Sequence, residues 1–171
     1  MSSAPAGPDH LAARLDPGLG ARVSVEAQRT IDAEMEHVWL LLCDYHAVRP
    51  RILTAHFADY AVRSGGHGAG SVIEHVLRVG RRERRYRSSV EEPAPGRQLR
   101  ERDHRSRLVS TWTLTPGGDG ERTVVRLAVE LRDPDITGWL ARRRAGRALR
   151  RVYAELLERL DAYVTSHRFA E

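Results

Sequence analysis

Hydrophobic and polar residues alternate over much of the chain between Val23 and Leu131. The alternation is clearest at Val23, Val25 and Ala27 near the beginning and at Val129 and Leu131 near the end. A period of two residues is typical of a strand with one buried and one solvated face. Turn signals rich in glycine and proline separate the alternating stretches, so the pattern predicts a run of antiparallel strands.

Helical patterns interrupt the strands near the beginning and follow them at the end. Asp32 is placed to cap a short helix, and a second short helix is predicted from Tyr45 to Leu53, broken at Pro50. From Pro134 to about His167, apolar residues recur at helical spacing. A helix of roughly thirty residues is about 45 Å long, enough to cross a whole sheet and cover its apolar face.

One predicted hairpin has a register that can be derived from its charges. Gly80-Arg81 suits a two-residue turn, which places Glu74 opposite Arg87 on the outer face. A slip of one residue would exchange the two faces, so the charge pairing fixes the register. The inner face then carries Ile73, His75, Leu77 and Val79 opposite Ser88, Tyr86, Arg84 and Arg82.

A second hairpin, closed at Arg105-Ser106, adds further groups to the inner face. It places Asp103 opposite Leu108, Glu101 opposite Ser110 and Leu99 opposite Trp112. The polar groups predicted on the buried face are His75, Arg84, Tyr86, Glu101, Asp103 and Ser110. A buried polar group without a partner costs about 1–3 kcal/mol, so these groups must satisfy one another or meet water and a ligand.

The composition limits the architecture and excludes several kinds of chemistry. A chain of 171 residues makes one domain, here residues 21–167, with residues 1–20 expected to form a flexible tail. All 28 basic residues are arginine, which excludes chemistry that needs a lysine amine. Cys43 is the single cysteine, and the eight histidines lack paired metal spacing, so we expect no disulfide, metal or cofactor. Without a secretory signal or a membrane-spanning run, we expect a cytoplasmic protein.

The arginines are concentrated in two segments. Residues 78–107 hold eleven arginines against five acidic residues, and residues 142–151 hold six arginines and no acidic residue. Such regions attract anionic partners, for example an anionic lipid, a phosphopantetheine arm or an acidic carrier protein. Nucleic acid is disfavoured, because the segments lack interleaved aromatic residues. The alternative is a solvated surface with no specific partner.

The order of strand, two short helices, six strands and a long helix resembles the helix-grip fold of the START-like superfamily, in particular its polyketide cyclase/dehydrase branch. The residues that carry this resemblance are Val25-x-x-x-x-x-Ile31-Asp32-Ala33, Val38-Trp39, Trp112-x-Leu114-x-Pro116 and Thr123-x-Val125. The resemblance covers roughly Ala21 to Val164. The tryptophan common near the second short helix is absent from Arg49-Pro50-Arg51-Ile52, in a loop that often borders the pocket.

The resemblance implies an α+β domain in which a curved antiparallel sheet of about seven strands wraps around the C-terminal helix and leaves a cavity. Members of this superfamily bind lipids, sterols, polyketides or similar molecules, and a minority catalyse cyclisation, aromatisation or dehydration. Three functions are therefore open. The first is binding of a small hydrophobic or amphipathic molecule, the second is a polyketide aromatase/cyclase or dehydratase, and the third is a non-catalytic interaction module with a basic surface.

The inner face supplies the candidate site residues. His75 and Tyr86 lie opposite each other, and a histidine beside a phenol suits general acid–base catalysis on an enolisable ketone. Arg84 near Glu101 or Asp103 would hold a carboxylate or receive an anionic ligand end. The residues expected to bind the ligand are Ile73, Leu77, Arg84, Ser88, Leu99, Glu101, Asp103, Ser110, Trp112, Leu127, Trp139, Val152 and Leu156. Binding takes precedence over catalysis, because fold does not fix function.

Overall fold

Strands and helices follow one another in the predicted order in the computed structural model, which describes residues 21–103, 105–118, 120–133 and 135–167. The elements are β1 (Ala21–Ile31), α1 (Met35–Cys43), α2 (Arg49–Ile52), β2 (Phe57–Ser64), β3 (Val72–Val79), β4 (Arg82–Ala94), β5 (Gln98–Asp103), β6 (Val109–Pro116), β7 (Thr123–Asp133) and α3 (Trp139–His167). The predicted tail, residues 1–20, and Pro134 lie outside the described residues.

The strands form one antiparallel sheet in the order β1-β7-β6-β5-β4-β3-β2. Strands β2 to β7 each pair with their neighbours in sequence, and β1 pairs with β7, so the first strand lies beside the last. The predicted register of β3 and β4 is confirmed, with His75 opposite Tyr86. The predicted register of β5 and β6 is confirmed as well, with Glu101 opposite Ser110. The assignment of faces follows, since His75 and Tyr86 are both buried.

The long helix α3 covers the inner face of the sheet and contacts β1 in particular. Its buried residues are Leu149, Val152, Tyr153, Leu156, Leu157, Leu160 and Val164. Their spacing of three and four residues gives one apolar stripe, as the sequence pattern predicts. The packing is close at Gly146, where a Cβ would lie 3.8 Å from Val25 Cγ1. Near the other end of the helix, Arg29 of β1 donates a hydrogen bond of 2.6 Å to Asp161.

The predicted start of the first short helix is wrong. Helix α1 begins at Met35, and its N-cap is Glu34 and not Asp32. The physical reason is a tight turn directly after β1, in which the Ala33 amide donates to the Ile31 carbonyl oxygen at 3.0 Å. This turn carries the chain past Asp32 before helical hydrogen bonding starts.

The other two helices are shorter than predicted. Helix α2 is confined to Arg49–Ile52, because the Tyr45 amide is bound to the carbonyl oxygen of Gly66 at 3.0 Å and belongs to a loop contact. Helix α3 begins at Trp139, later than predicted. Gly138 before it has a φ of +79°, which lies outside the helical range.

Candidate ligand-binding site

A cavity of about 550 Å³ lies between the turn end of β3 and β4, the end of β7 and the first half of α3. We call it the outer cavity. Its apolar wall consists of Leu77, Val79, Tyr86, Leu131, Ile136, Ala141, Ala145, Ala148 and Leu149. On the helix, Ala141, Ala145 and Ala148 follow one another at helical spacing, so α3 presents methyl groups where longer side chains would fill the space. The volume lies within the usual range of small-molecule sites.

Charged side chains surround the outer cavity at its β-strand end. The Arg84 guanidinium lies 3.4 Å from Asp133 and 3.6 Å from Asp135, and Arg82 lies 3.2 Å from Asp133. Arg144 of α3 also lines the cavity, and no acidic side chain in the described part of the chain lies within ion-pair distance of it. The opening of the cavity is therefore polar and carries excess positive charge, whereas its wall is apolar.

A second cavity of about 20 Å³, which we call the inner cavity, lies between α2, α3 and the inner face of the sheet. It is lined by Arg49, Leu53, Phe57, Tyr60, Ile73, His75, Glu101, Leu108, Ser110, Trp112, Leu127, Tyr153 and Leu156. This volume is about that of a single water molecule. Side chains therefore fill most of the interior here, and of these two cavities the outer one alone is large enough for a molecule of several heavy atoms.

His75 and Tyr86 are in contact between the two cavities. Their ring centroids are 5.7 Å apart with an interplanar angle of 39°, which confirms the contact predicted from the register. His75 lines the inner cavity and Tyr86 lines the outer one. Burial lowers the pKa of His75 to about 4 and raises the pKa of Tyr86 to about 12. Near pH 7 the pair is thus a neutral imidazole beside a protonated phenol.

An ion pair that the sequence analysis did not predict borders the inner cavity. The Arg49 guanidinium donates to Glu101 Oε1 at 2.7 Å, and the Tyr45 hydroxyl donates to the same oxygen at 2.9 Å. The guanidinium also lies over the rings of Tyr45 and Trp112, at 4.6 Å and 4.8 Å from their centroids. The Arg49 side chain is only 3% exposed. Arginine is the cation best suited to such a site, because its planar head stacks on aromatic rings and forms directed hydrogen bonds.

The surroundings keep Arg49 charged. Burial acts to lower the pKa of Arg49, but the Glu101 carboxylate and the neighbouring tyrosines outweigh it and the pKa is raised. Burial raises the pKa of the Tyr45 hydroxyl well above its usual value, so this group stays a hydrogen-bond donor. Arg49 Nε and Trp112 Nε1 are buried without an acceptor among the described residues. A water molecule or a ligand oxygen in the inner cavity is therefore favoured.

The predicted site residues divide into three groups. Leu77, Arg84 and Tyr86 line the outer cavity. Ile73, His75, Glu101, Ser110, Trp112, Leu127 and Leu156 line the inner cavity. Ser88, Leu99, Asp103, Trp139 and Val152 line neither of the two cavities. Of this last group, Leu99 and Val152 are core residues.

The predicted pairing of Arg84 with Glu101 or Asp103 is wrong. Arg84 contacts Asp133 and Asp135, because its strand position lies at the turn end of the hairpin, beside the end of β7. Glu101 is instead paired with Arg49. The two arginine–carboxylate pairs therefore belong to different cavities.

Asp103 organises a turn and does not line either cavity. Its carboxylate accepts hydrogen bonds from the Arg87 amide at 2.8 Å and from the Ser106 amide at 2.6 Å. Burial acts to raise the pKa of Asp103, but these bonds and the Ser106 hydroxyl outweigh it and lower the pKa. The carboxylate is thus held within the β5–β6 hairpin and is not presented to a ligand.

The sequence does not indicate the role of Arg49, because an arginine in a short helix is usually a solvated side chain. Two signals could have pointed to it. The register places no arginine directly opposite Glu101 on the inner face, and Arg49 falls in the loop that borders the pocket in similar proteins. A carboxylate on the buried face of a sheet requires a partner. Here the partner is Arg49 of α2, the helix next to the inner cavity.

Residues 22–165 match the family model described as polyketide cyclase / dehydrase and lipid transport. The chain belongs to this family. A comparison with curated proteins finds no match. The described residues of this polyketide cyclase/dehydrase family member contain no helix with the length and apolar character needed to cross a bilayer.

Solved structures share the fold of this family member. The solution structure of KanY protein is 33% identical, covers 85% of this chain and 99% of that chain, and superposes with a TM-score of 0.73. The Zhui aromatase/cyclase from Streptomyces sp. R1128 is 17% identical, with coverage of 88% and 98% and a TM-score of 0.66. A START superfamily protein from Mycobacterium smegmatis is 13% identical, with coverage of 84% and 97% and a TM-score of 0.65. The predicted helix-grip fold is thus confirmed.

Proposed function

We propose that this polyketide cyclase/dehydrase family member binds a small hydrophobic or amphipathic molecule in the outer cavity. The observation that carries the proposal is a cavity of about 550 Å³ that is open to solvent at its charged end and has a wall of apolar side chains from the sheet and α3. Small-molecule sites are typically concave, mostly apolar and several hundred cubic ångströms in volume, and the outer cavity has these properties. The family description, which includes lipid transport, supports an apolar guest.

The lining defines how an amphipathic guest would lie. Its apolar body would contact Leu131 and the alanines of α3, and its polar end would point toward Arg84 and Arg144 at the opening. The Tyr86 hydroxyl supplies one hydrogen-bonding group on the wall. An anionic or hydrogen-bond-accepting end group fits this arrangement best, because the opening carries excess positive charge.

A cavity-filling variant tests the proposal. The amphipathic dye 1-anilinonaphthalene-8-sulfonate is titrated into the wild type and into Ala145→Phe, whose ring would occupy the outer cavity. The matched control is Ala154→Phe, because Ala154 is a half-buried alanine of α3 that lines neither cavity. Wild type and control should bind the dye, whereas Ala145→Phe should bind it at least tenfold more weakly, a decrease of about 1.4 kcal/mol in the free energy of binding.

Extraction of the purified protein with organic solvent, followed by mass spectrometry, identifies the natural guest. We expect a small apolar molecule from wild type and from Ala154→Phe, and none from Ala145→Phe. Equal dye affinity in the three proteins, with no molecule recovered from any of them, would contradict binding in the outer cavity.

A second candidate function is cyclase or dehydratase chemistry, and the His75–Tyr86 contact favours it. Neutral His75 would accept an α-proton from an enolisable ketone, and the Tyr86 phenol would donate a hydrogen bond to the carbonyl oxygen as charge develops there. If an acidic carrier protein delivered the substrate, the arginine-rich segment 142–151 would be the surface that contacts it. Binding remains the first proposal, because His75 lines the inner cavity of about 20 Å³ and not the outer one.

Exchange of α-protons with deuterated water distinguishes the two functions. The acetoacetyl thioester of N-acetylcysteamine is followed by NMR with wild type, Tyr86→Phe and His75→Asn. If the protein is an enzyme of this kind, wild type accelerates exchange and both variants lose the acceleration while they remain folded. If it only binds, Tyr86→Phe changes dye affinity modestly and none of the three proteins accelerates exchange.

A further inference from the structure

The first half of α3 carries an exposed surface of arginine and apolar side chains, which we call the arginine–tryptophan face. It consists of Trp139, Leu140, Arg143, Arg144, Arg147, Arg150 and Arg151. Trp139 is 66% exposed and Leu140 is 47% exposed. In the part of the chain that the structure describes, Leu40 is the one other large hydrophobic side chain with comparable exposure. Two such residues in succession, beside arginines, form a mixed apolar and cationic surface.

The charge of this face is not balanced by any acidic side chain in the described part of the chain. On the outer face of the sheet, several exposed arginines are paired with acidic residues, for example Arg22 with Glu130 and Arg63 with Glu74. The segment 142–151 differs: all six of its arginines are exposed, and no acidic side chain of the described residues lies within ion-pair distance of them. The face therefore presents net positive charge to solvent and to any binding partner.

The position of these charges on the helix is unfavourable for the helix itself. The N-terminal end of a helix carries a partial positive charge, and the first turn of α3 contains no acidic residue to offset it. Arg143, Arg147 and Arg151 follow one another at intervals of four residues, so they also repel each other. An anionic partner would remove both penalties.

We propose that the arginine–tryptophan face docks on an anionic membrane surface. Tryptophan and leucine beside arginines are the combination that enters the boundary between headgroups and acyl chains, and arginines near an anionic leaflet strengthen the attraction. An acidic protein or a nucleic acid would account for the arginines. A nucleic acid would not account for the exposure of Trp139 and Leu140, because a single aromatic residue makes a poor platform for stacked bases. An acidic protein is the competing partner, and the vesicle experiments below distinguish it from a membrane.

The position of the outer cavity supports a membrane as the partner of this face. Arg144 lines the outer cavity, and it also lines a recess of about 260 Å³ formed with Trp139, Leu140, Arg143 and Arg147. The face thus lies directly beside the opening of the outer cavity. Docking would bring that opening to the lipid surface, where an apolar molecule can enter or leave without crossing water. The docking itself rests on the surface charges and not on the proposed guest.

Vesicle binding by the full chain tests the proposal. Co-sedimentation is measured with vesicles of phosphatidylcholine alone and with vesicles of equal parts phosphatidylcholine and phosphatidylserine. We expect binding to the anionic vesicles alone and weaker binding at high salt, because the screening length falls from about 10 Å at 0.1 M to about 3 Å at 1 M. Each arginine near the membrane surface increases the partition coefficient roughly fivefold.

Two variants locate the binding surface. Arg143→Gln/Arg147→Gln/Arg151→Gln should weaken binding to anionic vesicles about a hundredfold. The matched control is Arg22→Gln/Arg85→Gln/Arg102→Gln, which removes the same charge from exposed positions on the sheet and should bind nearly as well as wild type. Melting followed by circular dichroism verifies that both variants fold.

Fluorescence reports on the insertion of Trp139. Brominated lipids should quench the emission of wild type on anionic vesicles and should not quench Trp139→Phe, since Trp112 is buried and Trp39 is half-buried. Equal loss of binding in the α3 triple variant and the sheet control would overturn the proposal, as would equal binding to neutral and anionic vesicles. Binding to an acidic protein or RNA without any vesicle binding would overturn it too.

Discussion

At the scale of single residues, the pair of Arg49 and Glu101 places two opposite charges in the interior. Each charge loses its hydration on burial, and the loss is offset because the partners are 2.7 Å apart and Tyr45 donates to the same carboxylate oxygen. The guanidinium also stacks on Tyr45 and Trp112. The pair therefore joins α2 to β5 and β6 across the inner cavity.

Removing one member of this pair should destabilise the protein far more than removing both. Glu101→Gln leaves the Arg49 charge buried without its counter-charge, so we expect a loss of about 3–5 kcal/mol in the free energy of unfolding. The double variant Arg49→Met/Glu101→Leu removes both charges and should recover most of that loss. Urea denaturation measures both. A single variant as stable as wild type would show that the pair does not hold the two elements together.

His75 makes stability depend on pH in a defined direction. Burial lowers its pKa to about 4, below the value of about 6.5 in an unfolded chain. Between these values the unfolded state binds the proton and the folded state does not, so stability falls as the pH drops from about 6.5 to about 4. The difference amounts to about 3 kcal/mol.

The variant His75→Gln isolates this contribution. Its unfolding free energy should vary less between pH 6.5 and pH 4 than that of wild type, by about 3 kcal/mol. Urea denaturation at both pH values of both proteins provides the measurement. Parallel pH dependence in the two proteins would mean that His75 takes up its proton in the folded state without penalty.

The residues that could be predicted from the sequence are those fixed by strand register. His75, Tyr86 and Glu101 were placed correctly because a period of two and a two-residue turn leave one arrangement for each face. Arg49 and Asp133 were not predicted, because their roles depend on how a helix and a distant strand end approach the sheet. Such distances are set by packing, and no local pattern encodes them.

At the scale of elements, the strands were predicted more accurately than the helix ends. Strand register propagates over many residue pairs, so one correct turn at Gly80 fixes the whole β3–β4 hairpin. A helix end depends on a few local hydrogen bonds instead. The turn between Ile31 and Ala33 places the start of α1 later in the chain than predicted. Gly138, whose φ of +79° lies outside the helical range, directly precedes the start of α3.

The packing of α3 on β1 leads to a prediction for Gly146. A Cβ there would lie 3.8 Å from Val25 Cγ1 and 3.9 Å from Val23 Cγ1, which are ordinary contact distances. Gly146→Ala should therefore stabilise the protein by about 1 kcal/mol, the difference in helix propensity between the two residues. Thermal or urea denaturation measures the gain.

Gly138→Ala serves as the matched control for this substitution. A Cβ at Gly138 would meet open space, but the φ of +79° there is strained for any residue with a Cβ. The control should be destabilised by roughly 1–2 kcal/mol. Stabilisation of both variants, or destabilisation of both, would contradict the assignment of Gly146 to the helix-to-strand contact.

At the scale of the whole molecule, the sequence predicted that a cavity lies between a curved sheet and a straight helix, but not at which end. The inner end is filled, because Trp112, Leu156 and the buried ion pair occupy it. The outer end stays open, because Ala141 and Ala145 of α3 are short. The position of the cavity thus follows from side-chain volumes on α3, which matter only once the helix has been placed on the sheet.

A guest in the outer cavity should stabilise the folded protein by mass action. A ligand present at a hundred times its dissociation constant adds about 2.7 kcal/mol to the free energy of unfolding. For a domain of this size, each kcal/mol raises the melting temperature by about 2–4 °C, so protein stripped of its guest should melt roughly 5–10 °C lower. The variant Ala145→Phe should show no difference before and after stripping, because its cavity is occupied by its own side chain. Any molecule that binds only the folded state must raise the melting temperature. If stripped and loaded wild type melted at the same temperature, the cavity would hold no molecule with appreciable affinity.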